Sequence, residues 1–145
     1  MASTRSLSAA SLVSHLVSQL RPHVRADSRV CVGLSGGRDS VVLLHLVCHA
    51  RQQLELDVSA IHVNHQISPN ATHWADFCSA LCAELSVPLR VERVNVARDT
   101  GKGLEAGARD ARYGAYENVN AEVILLAHHR NDQVETVLLQ ALRGA

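Results

Sequence analysis

The sequence has no excess of charge of either sign. Its 145 residues include 14 basic and 14 acidic side chains, so the formal net charge at pH 7 is zero. A balanced surface offers no global attraction to a nucleic acid, so such a partner would need a local site or another domain. Apolar residues make up 47% and charged residues 19%, which is typical of a globular protein and argues against long disorder.

Cysteines with the spacing of a metal site or a disulfide framework are also missing. None of the four cysteines forms a CxxC pair. Cys31 and Cys48 lie in apolar runs, and Cys78 and Cys82 are four residues apart on a predicted helix. We therefore predict that all four are small core residues, and that the protein works in a reducing cytoplasm.

No apolar stretch reaches the roughly 18 residues that a membrane helix needs. The run from Leu7 to Leu20 is interrupted by Ser, His and Gln, so it lacks the uninterrupted apolar region of a secretion signal. We expect a soluble protein that is not exported and has no membrane partner. The length suits one domain with a real core and is too short for two well-formed ones.

What the sequence does contain is a glycine-rich hexapeptide between a strand-like and a helix-like apolar run: Ser35-Gly36-Gly37-Arg38-Asp39-Ser40. A strand that turns through glycines into a helix binds anions, because the first backbone N–H groups and the helix dipole face the ligand. The serine hydroxyls can add hydrogen bonds, and Asp39 can hold a hydrated Mg²⁺. The hexapeptide therefore predicts a phosphate site. The alternative is an ordinary turn with Asp39 or Ser40 as the helix N-cap.

Strand and helix patterns alternate along the chain. The predicted helices are Ser8–Leu20, Ser40–Gln53, Ala71–Ser86, Leu104–Asn118 and one from after Asn131 to about Leu142, and the predicted strands are Val30–Leu34, Asp57–Asn64, Leu89–Val94 and Glu122–Ala127. This order predicts an α/β fold: a Rossmann-like, doubly wound parallel sheet with helices on both faces. Such sheets bind ligands beyond the carboxyl ends of their strands, where the winding reverses.

Four motifs at or near those strand ends carry a family resemblance. They are SGGRDS, the HVNH of His62 to His65, the ARDARY of Ala108 to Tyr113, and the AHHRNDQVET of Ala127 to Thr136. Together they resemble the N-terminal catalytic domain of tRNA(Ile)-lysidine synthetase, a family of PP-loop ATP pyrophosphatases. The resemblance runs from about Val30 to the end of the chain, and SGGRDS alone would fit several PP-loop families.

The resemblance implies a reaction and its partners. ATP would activate carbon-2 of the wobble cytidine in an isoleucine tRNA with a CAU anticodon, and free L-lysine would then displace AMP. Pyrophosphate and AMP would be the other products. The chain would be a single ATP-binding domain, with an N-terminal helix and linker in residues 1–28 and the α/β core in residues 29–145. The family's tRNA-binding domains would follow it, and a homodimer stays open.

The resemblance also implies residue roles. The residues expected to bind ATP are Ser35, Gly36, Gly37, Arg38, Asp39, Ser40, His62 and His65, and those expected to be catalytic are Asp39, Arg109, Arg112 and Asp132. Asp39 and Asp132 would hold Mg²⁺. Asn131 stands where the family usually has Asp; its amide oxygen can ligate Mg²⁺ weakly but brings no charge. Arg109 and Arg112 share a helical face that suits phosphate oxygens.

Plainer interpretations exist for several of these residues. Asp132 and Glu135 have the spacing of a helix capping box, and Arg109 can pair with Glu105 on an exposed helix face. The histidine pairs His62/His65 and His128/His129 suggest zinc, but no cysteine or carboxylate completes a ligand spacing.

Two other functions fit part of the pattern. A PP-loop enzyme of tRNA thiolation would need catalytic cysteines near the loops. A nucleotide-binding module of the universal-stress type would not need Asp39, Asp132 and paired arginines.

Overall fold

The computed structural model describes residues 9–35, 37–64, 71–94, 114–130 and 133–140. These ranges contain helices α1 (Ala9–Leu20), α2 (Arg38–Leu54) and α3 (Ala71–Glu84), a 3-10 turn (Arg21–His23), and strands β1 (Arg29–Gly33), β2 (Asp57–Asn64), β3 (Leu89–Arg93), β4 (Val123–Arg130) and β5 (Gln133–Gln140). Residues 114–116 are also helical. Among the described helices, none is both long and apolar enough to span a bilayer.

The strands form one sheet in the order β3-β2-β1-β4-β5. β1 is parallel to both β2 and β4, and β2 is parallel to β3. The chain therefore winds outward from β1 to β3 and then returns to the other side of β1 with β4. This reversal between β1 and β4 is the switch point at which doubly wound sheets bind ligands.

Alternate residues of β1 pack into two hydrophobic cores, one on each face of the sheet. Val30 and Val32 pack on the face covered by α1, α2 and α3, whereas Cys31 packs on the opposite face. That opposite face is covered by residues 115–121, which include the buried Tyr116. Strands covered on both faces are the arrangement expected of a parallel sheet, and the apolar run of β1 follows from it.

Helix α2 connects β1 to β2 and carries its apolar residues three or four positions apart. Leu43, Leu44, Val47 and Ala50 are at most 3% exposed, and complete burial of one leucine side chain stabilises the fold by roughly 1.5–3 kcal/mol. The helix ends at Leu54, and the C-cap residue Glu55 adopts a left-handed conformation (φ 55°) and donates its N–H to the carbonyl of Arg51. This cap turns the chain into β2.

The structure confirms the predicted parallel sheet and corrects its last element. The segment after Asn131 was predicted to be a helix, but Gln133–Gln140 is a strand that pairs antiparallel with β4 from Arg130↔Gln133 to Val123↔Gln140. Its β-branched residues Val134, Thr136 and Val137 favour a strand once β4 offers a free edge. The interpretation of Asp132 and Glu135 as a helix capping box is therefore wrong, because Gln133–Gln140 is a strand. Most of the predicted helix Leu104–Asn118 lies outside the described residues.

Candidate functional site

The hexapeptide lies where it was predicted, between β1 and α2, and Gly37 is the N-cap of α2. Its backbone is extended (φ −78°, ψ 163°), and no side chain caps the helix. The interpretation of Asp39 or Ser40 as the N-cap is therefore wrong, since both lie inside the first turn. The first helical hydrogen bond runs from the N–H of Val41 to the carbonyl of Gly37 at 3.2 Å. The N–H groups of the turn before it have no acceptor within the helix.

The hydroxyl of Ser40 holds the loop in shape. Only 3% of Ser40 is exposed. Its Oγ donates to the carbonyl of Gly37 at 2.9 Å and accepts from the N–H and the hydroxyl of Ser35, each at 3.1 Å. One donor and two acceptor positions are the full capacity of a hydroxyl, so Ser40 is saturated within the loop. Its predicted contact with phosphate stays a prediction, and its observed contacts fix the loop.

The described residues of this loop line a cleft. Its volume is about 500 Å³, and it is lined by Ser35, Gly37, Arg38, Asp39, Ser40 and Ala127. Ser35 and Arg38 are exposed and Asp39 is half-buried, while the Oγ of Ser35 accepts the N–H of Gly37 at 3.2 Å. Ala127 belongs to β4, so the cleft opens at the switch point. One guanidinium, one carboxylate and a helix N-terminus therefore meet there.

His62 braces the loop from β2. It is 4% exposed, and its Nδ1 is 2.7 Å from the carbonyl oxygen of Leu34, the residue that precedes the hexapeptide. His62 is not among the described residues that line the cleft. Its predicted contact with the nucleotide stays a prediction, whereas its support of the loop is observed.

Gly33, the last residue of β1, was given no role from the sequence. A Cβ at this position would lie 2.3 Å from Cδ2 of Leu126 and 3.1 Å from the hydroxyl oxygen of Tyr116. β4 and the segment covering the sheet therefore approach the backbone just before the loop. A glycine inside an apolar strand was the available signal, because glycine in a strand often marks a close approach.

Several predicted site residues lie outside the described residues: Gly36, His65, Arg109, Arg112 and Asp132. The backbone of β4 continues to Arg130, so the described chain reaches the position next to Asn131. The described part of the chain contains no group of three or more His, Cys, Asp or Glu side chains that could hold a metal. Asp39 is the member of the predicted metal pair that the structure describes.

The cysteines are not placed for chemistry. Cys31, Cys78 and Cys82 are at most 1% exposed, and burial raises the pKa of each thiol from 9.0 to about 11. Burial also raises the pKa of Cys48, which is half-buried. A raised pKa leaves little of the reactive thiolate at neutral pH. The prediction that the cysteines are core residues is confirmed for these three.

Comparisons with known proteins agree with this geometry. A family model described as a PP-loop domain matches residues 7–145. The chain is 44% identical over 145 residues to a tRNA(Ile)-lysidine synthase of Nitrosomonas europaea, covering 100% of this chain and 32% of the relative. It is 57% identical over 114 residues to a protein of the same name from Chromobacterium violaceum, covering 78% of this chain and 26% of the relative. The chain thus spans a third or less of these relatives.

A solved structure is also similar. It is the U34-tRNA thiolase NcsA from Methanococcus maripaludis with its [4Fe-4S] cluster. The TM-score is 0.72 at 20% sequence identity, and the match covers 86% of this chain and 46% of that one. Identity this low supports the shared fold alone.

Proposed function

Because this chain belongs to the PP-loop domain family, we propose that the cleft between β1 and β4 binds the phosphates of ATP. The observation that carries the proposal is the position of the α2 N-terminus, which opens into this cleft where the strand order reverses. A helix N-terminus at a switch point combines free N–H donors with the positive end of the helix dipole.

Different described residues contribute different groups to the proposed phosphate site. The backbone N–H groups of the first turn of α2 supply donors, and the exposed guanidinium of Arg38 adds a positive charge. Ser40 and His62 hold the loop through their hydrogen bonds to the backbone on either side of it. The loop is thus organised before the ligand arrives, which lowers the entropy cost of binding.

We assign Asp39 as a ligand of Mg²⁺. Its carboxylate is half-buried in the first turn of α2 and lines the cleft. Mg²⁺ keeps several waters and is commonly held by one or two carboxylates together with the phosphates of its substrate, so one described carboxylate fits. The ion would neutralise charge that builds on the pyrophosphate as it leaves. Asp132 is the second ligand that we propose.

The reaction that we propose is the ligation of lysine to a tRNA cytidine. Relatives named tRNA(Ile)-lysidine synthase are 44% and 57% identical to this chain. In this reaction the cytidine O2 attacks the α-phosphorus of ATP and pyrophosphate leaves. The amine of free lysine then attacks carbon-2, and AMP leaves with the former O2 while the amine loses a proton. We propose that Arg109 and Arg112 stabilise the phosphoryl group, that His65 borders the nucleotide, and that the protein acts in the cytoplasm.

The four cysteines of this chain do not support the alternative PP-loop reaction, the thiolation of tRNA. A sulfur-carrying cysteine must reach the substrate as a thiolate. Three of the four cysteines are buried, with the thiol pKa raised to about 11. Cys48 lies on α2 beyond its first turn and is not among the described residues that line the cleft.

Pyrophosphate release from ATP tests the proposal. The full-length protein is incubated with ATP and Mg²⁺, and isoleucine tRNA and lysine are added singly and together. Release that needs the tRNA, with lysine incorporated into it, is the expected result. Release that needs a sulfur donor instead, or no release under any condition, contradicts it.

A pair of matched variants links the activity to the cleft. Asp39→Asn keeps the size of the side chain and removes its charge, so we expect pyrophosphate release to fall by at least about tenfold, in the range for a lost metal or phosphate contact. Asp76→Asn makes the same change on an exposed position of α3 and should leave the rate unchanged. Equal rates for the two variants would remove Asp39 from the mechanism.

A further inference from the structure

Two histidines lie on the outer face of α2. His45 and His49 are both exposed and are four residues apart, a little more than one turn of the helix. Leu43 and Val47 are buried on the opposite side of α2, which packs against the sheet. Among the helices that the structure describes, no other two histidines have this spacing. The pair is therefore a specific feature of this helix face.

Both imidazoles are open to solvent. In the part of the chain that the structure describes, neither side chain takes part in a hydrogen bond or an ion pair. The neighbouring residues on the same face are Val42, Gln52 and Gln53, which are exposed and carry no charge. The ring nitrogens can therefore take a ligand from solution without breaking a contact of the described fold.

The four-residue spacing suits chelation. Residues i and i+4 of a helix have Cβ atoms about 5–6 Å apart, so their imidazoles can converge on one ion, each with a nitrogen about 2 Å from the metal. Once the first imidazole binds, the second is already held close to the ion, so its binding is effectively intramolecular. The HExxH sequence of metalloproteases uses the same spacing to place two metal-binding histidines on one helix face.

We propose that His45 and His49 together bind one divalent transition-metal ion of the kind that prefers imidazole nitrogen: Cu²⁺, Ni²⁺ or Zn²⁺. Mg²⁺ instead prefers carboxylate and water oxygens. The side chains around the pair on this face include no carboxylate, so Mg²⁺ should not compete here. The site thus differs in metal preference from the Mg²⁺ site that we propose at Asp39.

The nearby arginines do not oppose a cation at this position. Arg51 is two residues from His49, but its guanidinium donates to the carbonyl of Leu85 at 2.9 Å and is therefore directed toward the end of α3. Arg38 lies seven residues before His45, about 10 Å along the helix axis, and charges this far apart are largely screened at about 0.1 M salt.

The protein supplies two ligands to this site. Cys48 precedes His49 in the sequence, but it is half-buried and packs against the core. The described ranges contain no group of three or more His, Cys, Asp or Glu side chains that could hold a metal. Water would therefore fill the remaining positions, and the ion should exchange more readily than one in a closed four-ligand site.

The site is separate from the nucleotide cleft. His45 lies six residues after Asp39, about 9 Å along the helix axis, and neither histidine is among the described residues that line the cleft. The proposal therefore does not depend on the reaction that we propose. An ion that joins two turns of α2 binds the folded helix more tightly than the unfolded chain, so it should raise the midpoint of thermal unfolding.

Calorimetric titration of the full-length protein with Ni²⁺, in excess Mg²⁺, tests the proposal. His45→Asn and His49→Asn should each weaken the binding of one equivalent of Ni²⁺ by at least about tenfold, because loss of a group that merely supports a metal ligand already weakens binding about 10–100-fold. His15→Asn, at an exposed position of α1 with no histidine four residues away, is the matched control and should bind like wild type. Other Ni²⁺ sites in the full-length protein are common to all of these proteins and cancel in the comparison.

Two double variants test the spacing. His45→Asn with Gln53→His again places two histidines four residues apart on α2, so it should restore Ni²⁺ binding. His49→Asn with Gln52→His keeps the same number of histidines but places them seven residues apart, about 10 Å along the axis, which is too far to share one ion. It should not restore binding. The unfolding midpoint of each variant without metal shows whether the variant folds like wild type.

The expected result is restoration by the first double variant alone, together with a Ni²⁺-dependent rise in the wild-type unfolding midpoint that His45→Asn loses. Wild type that binds no more Ni²⁺ than the two single variants overturns the proposal. Equal binding by the two double variants also overturns it, because the spacing would then have no effect.

Discussion

Nδ1 of His62 lies 2.7 Å from the carbonyl oxygen of Leu34. A carbonyl oxygen only accepts hydrogen bonds, so we assign the ring proton to Nδ1. The bond joins β2 to the residue that precedes the phosphate loop, residues 35–40, and His62 is 4% exposed. The loop is therefore held by a side chain from the neighbouring strand as well as by its own hydroxyls.

Removal of this donor should weaken both the fold and nucleotide binding. His62→Phe keeps a ring of similar size but leaves the carbonyl of Leu34 without its histidine donor, which costs about 1–3 kcal/mol when the group is buried. The free energy of unfolding in urea measures the loss, and ATP titration measures the binding. His49→Phe, on an exposed position of α2, is the control. Equal unfolding free energies for the two variants would contradict the bracing role.

A methyl group at Gly33 should destabilise the protein. Gly33→Ala would place its Cβ 2.3 Å from Cδ2 of Leu126, and overpacking of this kind typically costs about 1–3 kcal/mol. Gly114→Ala is the matched control, because a Cβ at Gly114 meets nothing within 4 Å. Thermal unfolding of both variants gives the comparison. A Gly33→Ala protein as stable as Gly114→Ala would mean that the Leu126 side chain moves aside at little cost.

The two loop serines should differ in what their removal changes. Ser40→Ala removes the hydroxyl that joins Ser35 to the carbonyl of Gly37, so we expect a loss of about 1–3 kcal/mol in stability and weaker ATP binding. Ser35→Ala, at an exposed position, should weaken ATP binding with a smaller loss of stability, because water can replace its hydrogen bonds with Ser40 and Gly37. Urea unfolding and ATP titration of both variants separate the two effects. The reverse pattern would show that Ser35, and not Ser40, maintains the loop.

Stability should fall at alkaline pH through the buried thiols. The pKa of Cys31 is raised from 9.0 to about 11 because burial disfavours the thiolate. The folded state thus holds the proton more tightly than the unfolded chain. This contribution is complete below about pH 9 and is lost as the pH rises to about 11. Urea unfolding across this interval should give a flatter pH dependence for Cys31→Ala than for wild type, and identical slopes would exclude the linkage.

Local chemistry made much of the fold predictable from the sequence. β2 was predicted with the bounds that the structure gives, because a run of apolar residues bounded by polar ones favours a strand. The phosphate loop was predictable because adjacent glycines between a strand and a helix N-terminus are typical of phosphate-binding sites. Arg38 and Asp39 could be assigned to the cleft because the carboxyl ends of parallel strands share one edge.

Tertiary contacts explain what the sequence did not reveal. Whether Gln133–Gln140 becomes a helix or a strand depends on the free edge of β4, which a local pattern does not contain. The bond from His62 to Leu34 depends on the register between β1 and β2. The burial of Ser40 depends on the path of the folded loop. The sequence motif suggested that Ser40 binds a ligand and did not reveal its hydrogen bonds to Ser35 and Gly37.

The parallel pairing of β1 with β4 has a consequence for the order of folding. β1 and β2 are joined by a single helix, whereas the hydrogen bond from the N–H of Arg29 to the carboxylate of Glu122 joins residues 93 positions apart. Long loops close slowly because of their entropy. We therefore expect β1, α2 and β2 to form the folding nucleus and β4 to dock late, with φ-values near zero for Ile124→Val and clearly higher for Val47→Ala. Similar φ-values would contradict this order. The ligand cleft would then be assembled last, so ATP could slow unfolding without accelerating the first steps of folding.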